Sequence, residues 1–170
     1  MGRKKTVPDA QIFQRIRALL MQGGDKAVSF SSVGRAIQLA PATLVQRYGS
    51  RDLMVQAALL DGWDALDIKA DSAATEAPLT AKGALQMMKL LSDGSADIGL
   101  ITASLRDGVT RARATGWRAR VEAALALRLG GAVKGREAAA VLFAVWQGQA
   151  LWEQAGEKGF RLKDAVKRIT

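Results

Sequence analysis

The sequence contains no cysteine and no histidine among its 170 residues. Disulfide bonds, thiolate catalysis, the commonest zinc sites and histidine-based acid–base chemistry are therefore excluded. Aromatic residues make up only 5% of the chain, whereas its hydrophobic fraction is 49%. The core must therefore consist mainly of alanine, leucine, valine and isoleucine. Because alanine and leucine have high helix propensities, this composition favours helices.

Long apolar segments are also absent, since no run reaches the roughly 18 residues that a membrane span requires. The basic N-terminus, MGRKKTVPDAQ, lacks the apolar stretch of a signal peptide. We therefore expect a cytoplasmic protein without a membrane partner. The length fits one domain of ordinary size, or a small domain joined to a larger one.

Positive charge is concentrated at the front of the chain. Residues 1–56 contain nine Lys or Arg against three acidic residues, whereas the remainder contains 16 basic and 13 acidic residues. The net charge of the whole chain is +9. A basic block of this kind is typical of a protein that binds a polyanion, although solubility alone could account for some of the charges.

Capping residues and glycines divide the front of the chain into short helices. The first helix is predicted to begin with Asp9 as its N-cap and to end at Gly23-Gly24. Ser29 is predicted to cap a second helix, and Pro41 to occupy the first turn of a third. Gly49 is expected to close that third helix because glycine tolerates the left-handed turn that follows a helix.

The rest of the chain is also predicted to be helical, because no strand pattern of useful length appears. Ser50 is expected to cap a fourth helix, and the small polar segment ADSAATEAPLT after Lys69 predicts a loop. Further helical patterns lie near residues 80–92, 95–107, 116–129, 133–155 and 160–169. The predicted fold class is therefore all-α, with a basic three-helix unit followed by a larger bundle.

The third predicted helix, PATLVQRY, is amphipathic. At 100° per residue its apolar side consists of Leu44, Val45 and Tyr48. Its opposite side consists of Ala42, Thr43, Gln46 and Arg47. No neighbour within the chain is expected to satisfy this polar side. A short helix that follows another closely and exposes Thr, Gln and Arg is the helix-turn-helix arrangement. The alternative is that Gln46 and Arg47 form only a solvated face.

The residues around this helix resemble the DNA-binding domain of tetracycline-repressor-type (TetR family) transcriptional regulators over about residues 9–60. The resemblance is carried by Ser29, Val33-Gly34, Gln38-Leu39-Ala40, Ala42-Thr43-Leu44-Val45, Tyr48, Ser50-Arg51-Asp52 and Met54. Gln38, Ala40 and Val45 depart from the family pattern, which has a turn glycine, a capping serine and a phosphate-binding tyrosine there. The resemblance implies a helix-turn-helix DNA-binding domain over residues 1–52 and a C-terminal dimerisation and ligand-binding domain over residues 53–170.

Base contacts give a DNA-binding protein its specificity, whereas phosphate contacts position it. Thr43, Gln46 and Arg47 are the candidates for base contacts, because Gln can bond adenine bidentately and Arg can bond guanine. Ala42 allows close approach to the groove or contacts a thymine methyl group.

Ser29 and Arg51 are assigned to phosphate because each lies at a helix N-terminus, where free amides favour an anion. Tyr48 either presents its hydroxyl to the DNA backbone while its ring packs inward, or is a wholly buried tyrosine. Arg3, Lys4 and Lys5 form a basic arm that is expected to enter the minor groove, or else a disordered, solvated terminus.

A single helix-turn-helix unit offers too few contacts for nanomolar specific affinity, so we expect a homodimer that reads a palindromic operator. The segment REAAAVLFAVWQGQALWEQAG is the candidate dimer helix, in which Gly148 permits close approach of a partner and FRLKDAVKRIT completes a four-helix interface. The predicted interface stripe consists of Ala139, Leu142, Phe143, Trp146 and Ala150. The alternative is a stripe buried within the monomer.

The pocket implied by the resemblance is predicted to bind an apolar or aromatic effector, because the chain offers no histidine and no obvious cluster of buried acids. Methionine adapts its shape, and aromatic rings add flat surface. The candidate lining residues are Trp63, Met87, Met88, Trp117 and Phe143. The alternative is that these side chains are ordinary core.

We therefore predict a sequence-specific transcriptional regulator, a repressor that a small ligand releases from double-stranded DNA. The alternatives are a regulator without an effector and a helical protein-interaction adaptor with only non-specific DNA binding. An enzyme is not expected, because no nucleophile motif or phosphate-binding glycine loop is present. The pairs Asp61/Asp64 and Asp64/Asp67 could hold a metal, but a solvated acidic face is favoured, so no cofactor or metal is expected.

Overall fold

A computed structural model describes residues 7–92, 98–153, 156 and 161–169. Within these residues the chain forms nine α-helices, one 3₁₀ turn (Asp25–Ala27) and no strand, which confirms the all-α prediction. The helices are α1 (Asp9–Gly23), α2 (Phe30–Ile37), α3 (Pro41–Tyr48), α4 (Arg51–Glu76), α5 (Ala81–Ser92), α6 (Ile98–Ser104), α7 (Gly108–Arg128), α8 (Ala132–Glu153) and α9 (Leu162–Ile169). None of the described helices is long and apolar enough to cross a membrane.

Most of the predicted helix starts in the front part of the chain are confirmed. The Ser29 side chain accepts a hydrogen bond from the Ser32 amide in a capping box, Pro41 occupies the first turn of α3, and Ser50 Oγ accepts from the Leu53 amide. The prediction for α1 is wrong by one residue, because Pro8 is its N-cap and makes no side-chain cap. Asp9 is the first helical residue, and its carboxylate is therefore available for other contacts.

The loop predicted after Lys69 is wrong, because α4 continues as one helix of 26 residues to Glu76. Ala70 and Ala73 are buried along this part of α4. The Arg128 guanidinium donates to the main-chain carbonyls at the end of α4. Arg128 is only 4% exposed, and burial lowers its pKa. Buried alanines and a capped C-terminus stabilise a helix that the small polar composition alone did not predict.

Packing divides the chain into two compact units that do not follow sequence order. The first unit contains Met1–Ala65 and Gly99–Ala114, and the second contains Leu66–Ile98 and Thr115–Thr170. The predicted boundary between residues 52 and 53 therefore lies within the first unit, which includes the first half of α4, most of α6 and the start of α7.

The first unit has a core of aliphatic side chains around one tryptophan. Its fully buried residues include Ile12, Ile16, Val33, Leu44, Met54, Ala58 and Trp63. Arg17 of α1 donates to the Ala58 carbonyl and pairs with Asp61, both at 2.7 Å. Trp63 Nε1 donates to Ser104 Oγ at 2.9 Å. These polar contacts fix α1 and α6 against the same stretch of α4.

The second unit is built around an aromatic cluster. The ring centroids of Trp117, Phe143 and Trp146 lie 5.7–6.4 Å apart. Trp146 Nε1 donates to Ser92 Oγ at 2.6 Å, so the polar edge of this buried ring is satisfied. Other buried side chains of this unit are Ala84, Met87, Met88, Leu91, Val121, Leu125, Ala139 and Leu142.

Candidate nucleic-acid interface

The tight turn between α2 and α3 requires glycine at position 34. The Gly34 carbonyl accepts from the Leu39 amide at 2.8 Å. A Cβ atom on Gly34 would lie 2.5 Å from the Leu39 carbonyl oxygen and 3.5 Å from Pro41. Gln38, which stands where a turn glycine is usual, adopts the left-handed conformation with φ 56° and ψ 46°. The turn therefore forms with glutamine at position 38 and depends on the glycine at position 34.

One side of α3 is open to solvent. Leu44 is fully buried, whereas the four residues predicted for the polar side are exposed: Ala42, Thr43, Gln46 and Arg47. Val45 is 43% exposed, so the prediction that it lies on the buried side is wrong. Within the described part of the chain, the side chains of Thr43 and Gln46 have no hydrogen-bond partner. These two neutral side chains are therefore available as donors and acceptors.

Arg47 differs from its neighbours, and the prediction that nothing in the chain satisfies it is wrong. Its Nε pairs with Asp9 Oδ1 at 3.0 Å, and its Nη1 donates to the Val7 carbonyl at 2.8 Å. Two of its three nitrogens are thus bound to the start of α1. The helical wheel could not reveal this contact because Asp9 and Val7 are about 40 residues away in sequence.

Tyr48 is half-buried at the end of α3. Its ring centroid lies 5.9 Å from that of Phe13, and its hydroxyl donates to Asp9 Oδ1. Burial raises the pKa of Tyr48, and the hydrogen bond to the Asp9 carboxylate raises it further. The predicted inward packing of the ring is confirmed, whereas the hydroxyl that was considered for DNA is bound within the chain.

Arg51 makes several polar contacts within the first unit. Its Nε donates to the Val28 carbonyl at 3.1 Å, and its Nη2 donates to the carbonyl and carboxylate of Asp25 at 2.7 and 2.6 Å. Its Nη1 donates to Asp52 at 2.9 Å. The hydrogen bond to Asp25 raises the pKa of Arg51. Since all three nitrogens are engaged, the structure does not support its assignment to phosphate and gives it a structural role instead.

In the described part of the first unit, three cations have no such contact. Arg15, Lys26 and Arg35 are exposed, and none of them has an ion-pair or hydrogen-bond partner among the described residues. On α2, Arg35 lies opposite the buried Val33, so a helical wheel drawn for α2 would have found it. Ser29 is also exposed, at the N-terminus of α2. Arg3, Lys4 and Lys5 lie outside the described residues.

The residues predicted to line a ligand pocket are buried in two different units. Trp63 belongs to the first unit, whereas Met87, Met88, Trp117 and Phe143 belong to the second. A cleft of about 430 Å³ lies in the first unit between residues 51–59, residues 103–108 and Asp25. None of the five predicted residues lines this cleft.

The predicted dimer stripe is largely core, which corrects that prediction. Four of its five residues are buried within a single chain: Ala139, Leu142, Phe143 and Trp146. Ala150 is half-buried. On the opposite face of α8, the apolar side chains of Val141 and Trp152 are 47% and 60% exposed. Gly148 lies on that face, and a Cβ atom there would meet nothing within 4 Å.

The aspartates considered as a metal site are paired with arginines. Asp61 binds Arg17, and Asp64 binds Arg113. Asp67 and Asp71 both lie within 3.4 Å of Arg120. No group of three or more acidic residues that could hold a metal ion occurs in the described part of the chain.

Comparison with known proteins identifies the fold. No family model and no curated protein matches the sequence. Two solved structures match over nearly the whole chain. A candidate transcriptional regulator, SCO7518 from Streptomyces coelicolor A3(2), is 16% identical with a TM-score of 0.69, over 95% of this chain and 96% of its own. The multidrug binding protein EbrR, complexed with imidazole, is 20% identical with a TM-score of 0.63, over 96% of this chain and 94% of its own.

The chain has the fold of these two proteins. This is the TetR-like fold that the resemblance in the sequence predicted, so that expectation is confirmed. SCO7518 is described as a candidate transcriptional regulator and EbrR as a multidrug-binding protein.

Proposed function

We propose that this protein is a dimeric, sequence-specific DNA-binding regulator of transcription that belongs to the TetR family. The observation that supports this most strongly is the exposed polar side of α3, which follows a tight turn from α2. Its Thr43 and Gln46 side chains have no hydrogen-bond partner among the residues that the structure describes. A short exposed helix after such a turn fits the major groove of DNA. The transcriptional description of SCO7518 agrees with this proposal.

In this proposal Gln46 and Thr43 contact base edges, and Ala42 allows the helix to come close. Glutamine binds adenine through two hydrogen bonds, and one such pair contributes about 1–3 kcal/mol of discrimination. Arg47, which the sequence suggested as a third base contact, is bound to Asp9 and Val7 through two of its three nitrogens, which leaves Nη2 and the second N–H of Nη1. The proposed base contacts are therefore made by the two neutral side chains, Thr43 and Gln46.

Phosphate contacts are proposed for the cations of the first unit that have no partner among the described residues, chiefly Arg35 on α2. The exposed N-terminus of α2 at Ser29 is a second candidate, because the positive end of a helix favours an anion, although the Ser32 amide there is already bound by Ser29 Oγ. The basic arm, Arg3 to Lys5, is a third. Arg51 is replaced in this role because each of its three nitrogens is bound within the chain. Free lysines and arginines supply the affinity that does not depend on sequence.

The proposed dimer forms through the exposed face of α8. Val141, Gly148 and Trp152 recur at spacings of seven and four residues, which places them on one side of the helix. Exposed apolar side chains that flank a glycine fit the close approach of a second helix. Two copies related by a two-fold axis would read a palindromic operator, as most helix-turn-helix dimers do.

An effector is proposed for the second unit, where methionines and an aromatic cluster offer an apolar environment. EbrR is described as multidrug binding, which agrees with an apolar or aromatic ligand. Because α4 begins three residues after α3 and continues into the second unit, a displacement of α4 would turn α3 and release the operator. A ligand-dependent shift in melting temperature would distinguish this from control by abundance alone.

Selection of binding sites from random DNA duplexes tests the proposed function. The purified full-length protein should enrich two inverted half-sites about one helical turn apart, because each copy presents one α3 to the major groove. Enrichment of no sequence over the starting pool would contradict the proposal and favour a helical adaptor whose basic front binds DNA only non-specifically.

A further inference from the structure

The Asp9 carboxylate connects the C-terminal end of α3 to the start of α1. Asp9 Oδ1 accepts a hydrogen bond from the Tyr48 hydroxyl and forms an ion pair with Arg47 Nε at 3.0 Å. Arg47 Nη1 also donates to the carbonyl of Val7, which is itself buried. The Tyr48 ring packs on Phe13, four residues further along α1. Polar and aromatic contacts thus join the same two helix ends.

This connection matters because α3 has little intrinsic stability. It has only eight residues, and Ala40 at its N-cap makes no side-chain cap. Isolated helices of this length are marginal in water. Its orientation must therefore come from the buried Leu44 and from the contacts at its C-terminal end. A carboxylate that holds two adjacent side chains restricts both the tilt of α3 and the direction of Arg47.

The same contact controls the charge beside the proposed base-reading face. Arg47 is exposed as a residue, but only 31% of its side-chain surface is accessible, and its charge is balanced by Asp9. A free arginine here would add sequence-independent affinity, because each neutralised phosphate strengthens binding to every DNA equally. An arginine already bound to a carboxylate adds much less. Specificity depends on the ratio between the two kinds of binding.

We infer that Asp9 is a specificity-determining positioning residue: by binding Arg47 and Tyr48 it holds α3 in its reading orientation and withholds Arg47 from DNA phosphates. This rests on the proposed function, since it concerns the same DNA. In this proposal Asp9 itself contacts no base. Its predicted role is to keep binding to unrelated sequences weak.

The test compares wild type with Asp9→Asn on two duplexes, the site selected by the wild-type protein and a scrambled one. Asp9→Asn keeps the size of the side chain but frees the Arg47 charge for a phosphate. The slope of log affinity against log salt for the scrambled duplex should steepen by about 0.9, so that binding falls roughly threefold more between 50 and 200 mM salt. The preference for the selected site should fall.

A second variant separates the release of Arg47 from a general loss of negative charge. In Asp9→Asn/Arg47→Met the salt slope should return to the wild-type value, because the freed cation is gone. Asp52→Asn is the matched control: it also removes one carboxylate from the first unit, but Arg51 stays bound by Asp25. It should leave the salt slope unchanged.

The results that would overturn the inference are specific. The inference is wrong if Asp9→Asn keeps the wild-type salt slope and the wild-type preference for the selected site. It is also wrong if the salt slope of Asp9→Asn/Arg47→Met is as steep as that of Asp9→Asn. If Asp9→Asn does not fold, Arg47→Met alone decides. An unchanged salt slope supports the inference that Asp9 keeps Arg47 from DNA phosphates, and a salt slope about 0.9 shallower contradicts it. Absence of any preference in the wild type would instead contradict the proposed function.

Discussion

Replacing Gly34 by alanine should lower the free energy of unfolding by about 2 kcal/mol and abolish preference for any DNA sequence. The new Cβ atom would lie 2.5 Å from the Leu39 carbonyl oxygen, a main-chain atom that cannot move alone. Relief requires the turn between α2 and α3 to open, and opening it displaces Leu44 from the core. Urea unfolding and DNA-binding titrations measure the two effects.

Gly116→Ala is the matched control for this variant. Gly116 lies inside α7, and a Cβ atom there would meet nothing within 4 Å. Because alanine is the better helix former, this substitution should stabilise the protein by roughly 0.5–1 kcal/mol. If Gly34→Ala instead had the stability and DNA binding of the wild type, the turn would not require glycine at position 34.

Gly148→Arg should dissociate the dimer, raising its dissociation constant by about 100-fold or more. The space around Gly148 is empty within the chain, so an arginine can extend outward without disturbing α8. In the proposed interface the same side chain would separate the two helices and bring a charge into apolar surface, a cost of at least about 3 kcal/mol. Sedimentation equilibrium measures the constant directly.

Loss of the dimer should also remove most of the affinity for a two-half-site operator, because a monomer reaches only one half-site. Gly116→Arg, a glycine-to-arginine change at an equally open helical position, should leave the dimer intact. A Gly148→Arg protein that remains folded and sediments as the wild-type dimer would refute the α8 interface.

The sequence predicted local features well, because caps and helical periodicity depend on near neighbours. Ser29, Pro41 and Ser50 were assigned to helix starts from their residue types and the pattern that follows them. The exposed side of α3 was predicted from a helical wheel. Such signals lie within one or two turns of the residue concerned.

Contacts between residues far apart in sequence were not predictable in this way. Arg47 and Arg51 appeared free because their partners, Asp9 and Asp25, lie 38 and 26 residues away. The extension of α4 to Glu76 has the same cause, since the carbonyls that end it are bound by Arg128. Tertiary contacts here override the propensity of a small polar segment.

The buried face of α8 was not predictable because apolar residues occur on both of its faces. Periodicity identifies a buried side only where the opposite side is polar. Leu142 and Trp146 lie in the core, whereas Val141 and Trp152 are exposed. A helix that is apolar on two faces suggests two partners, one within the chain and one outside it.

The most direct test of the central claim, that the outer side of α3 reads bases, is site selection repeated with Gln46→Ala. We expect preference at one or two base pairs of each half-site to fall about 10-fold or more, with unchanged binding to a scrambled duplex. Gln14→Ala, which removes an exposed glutamine from α1, should leave the selected sequence unchanged. The account would be contradicted if Gln46→Ala selected the same sequence with the same preference at every position.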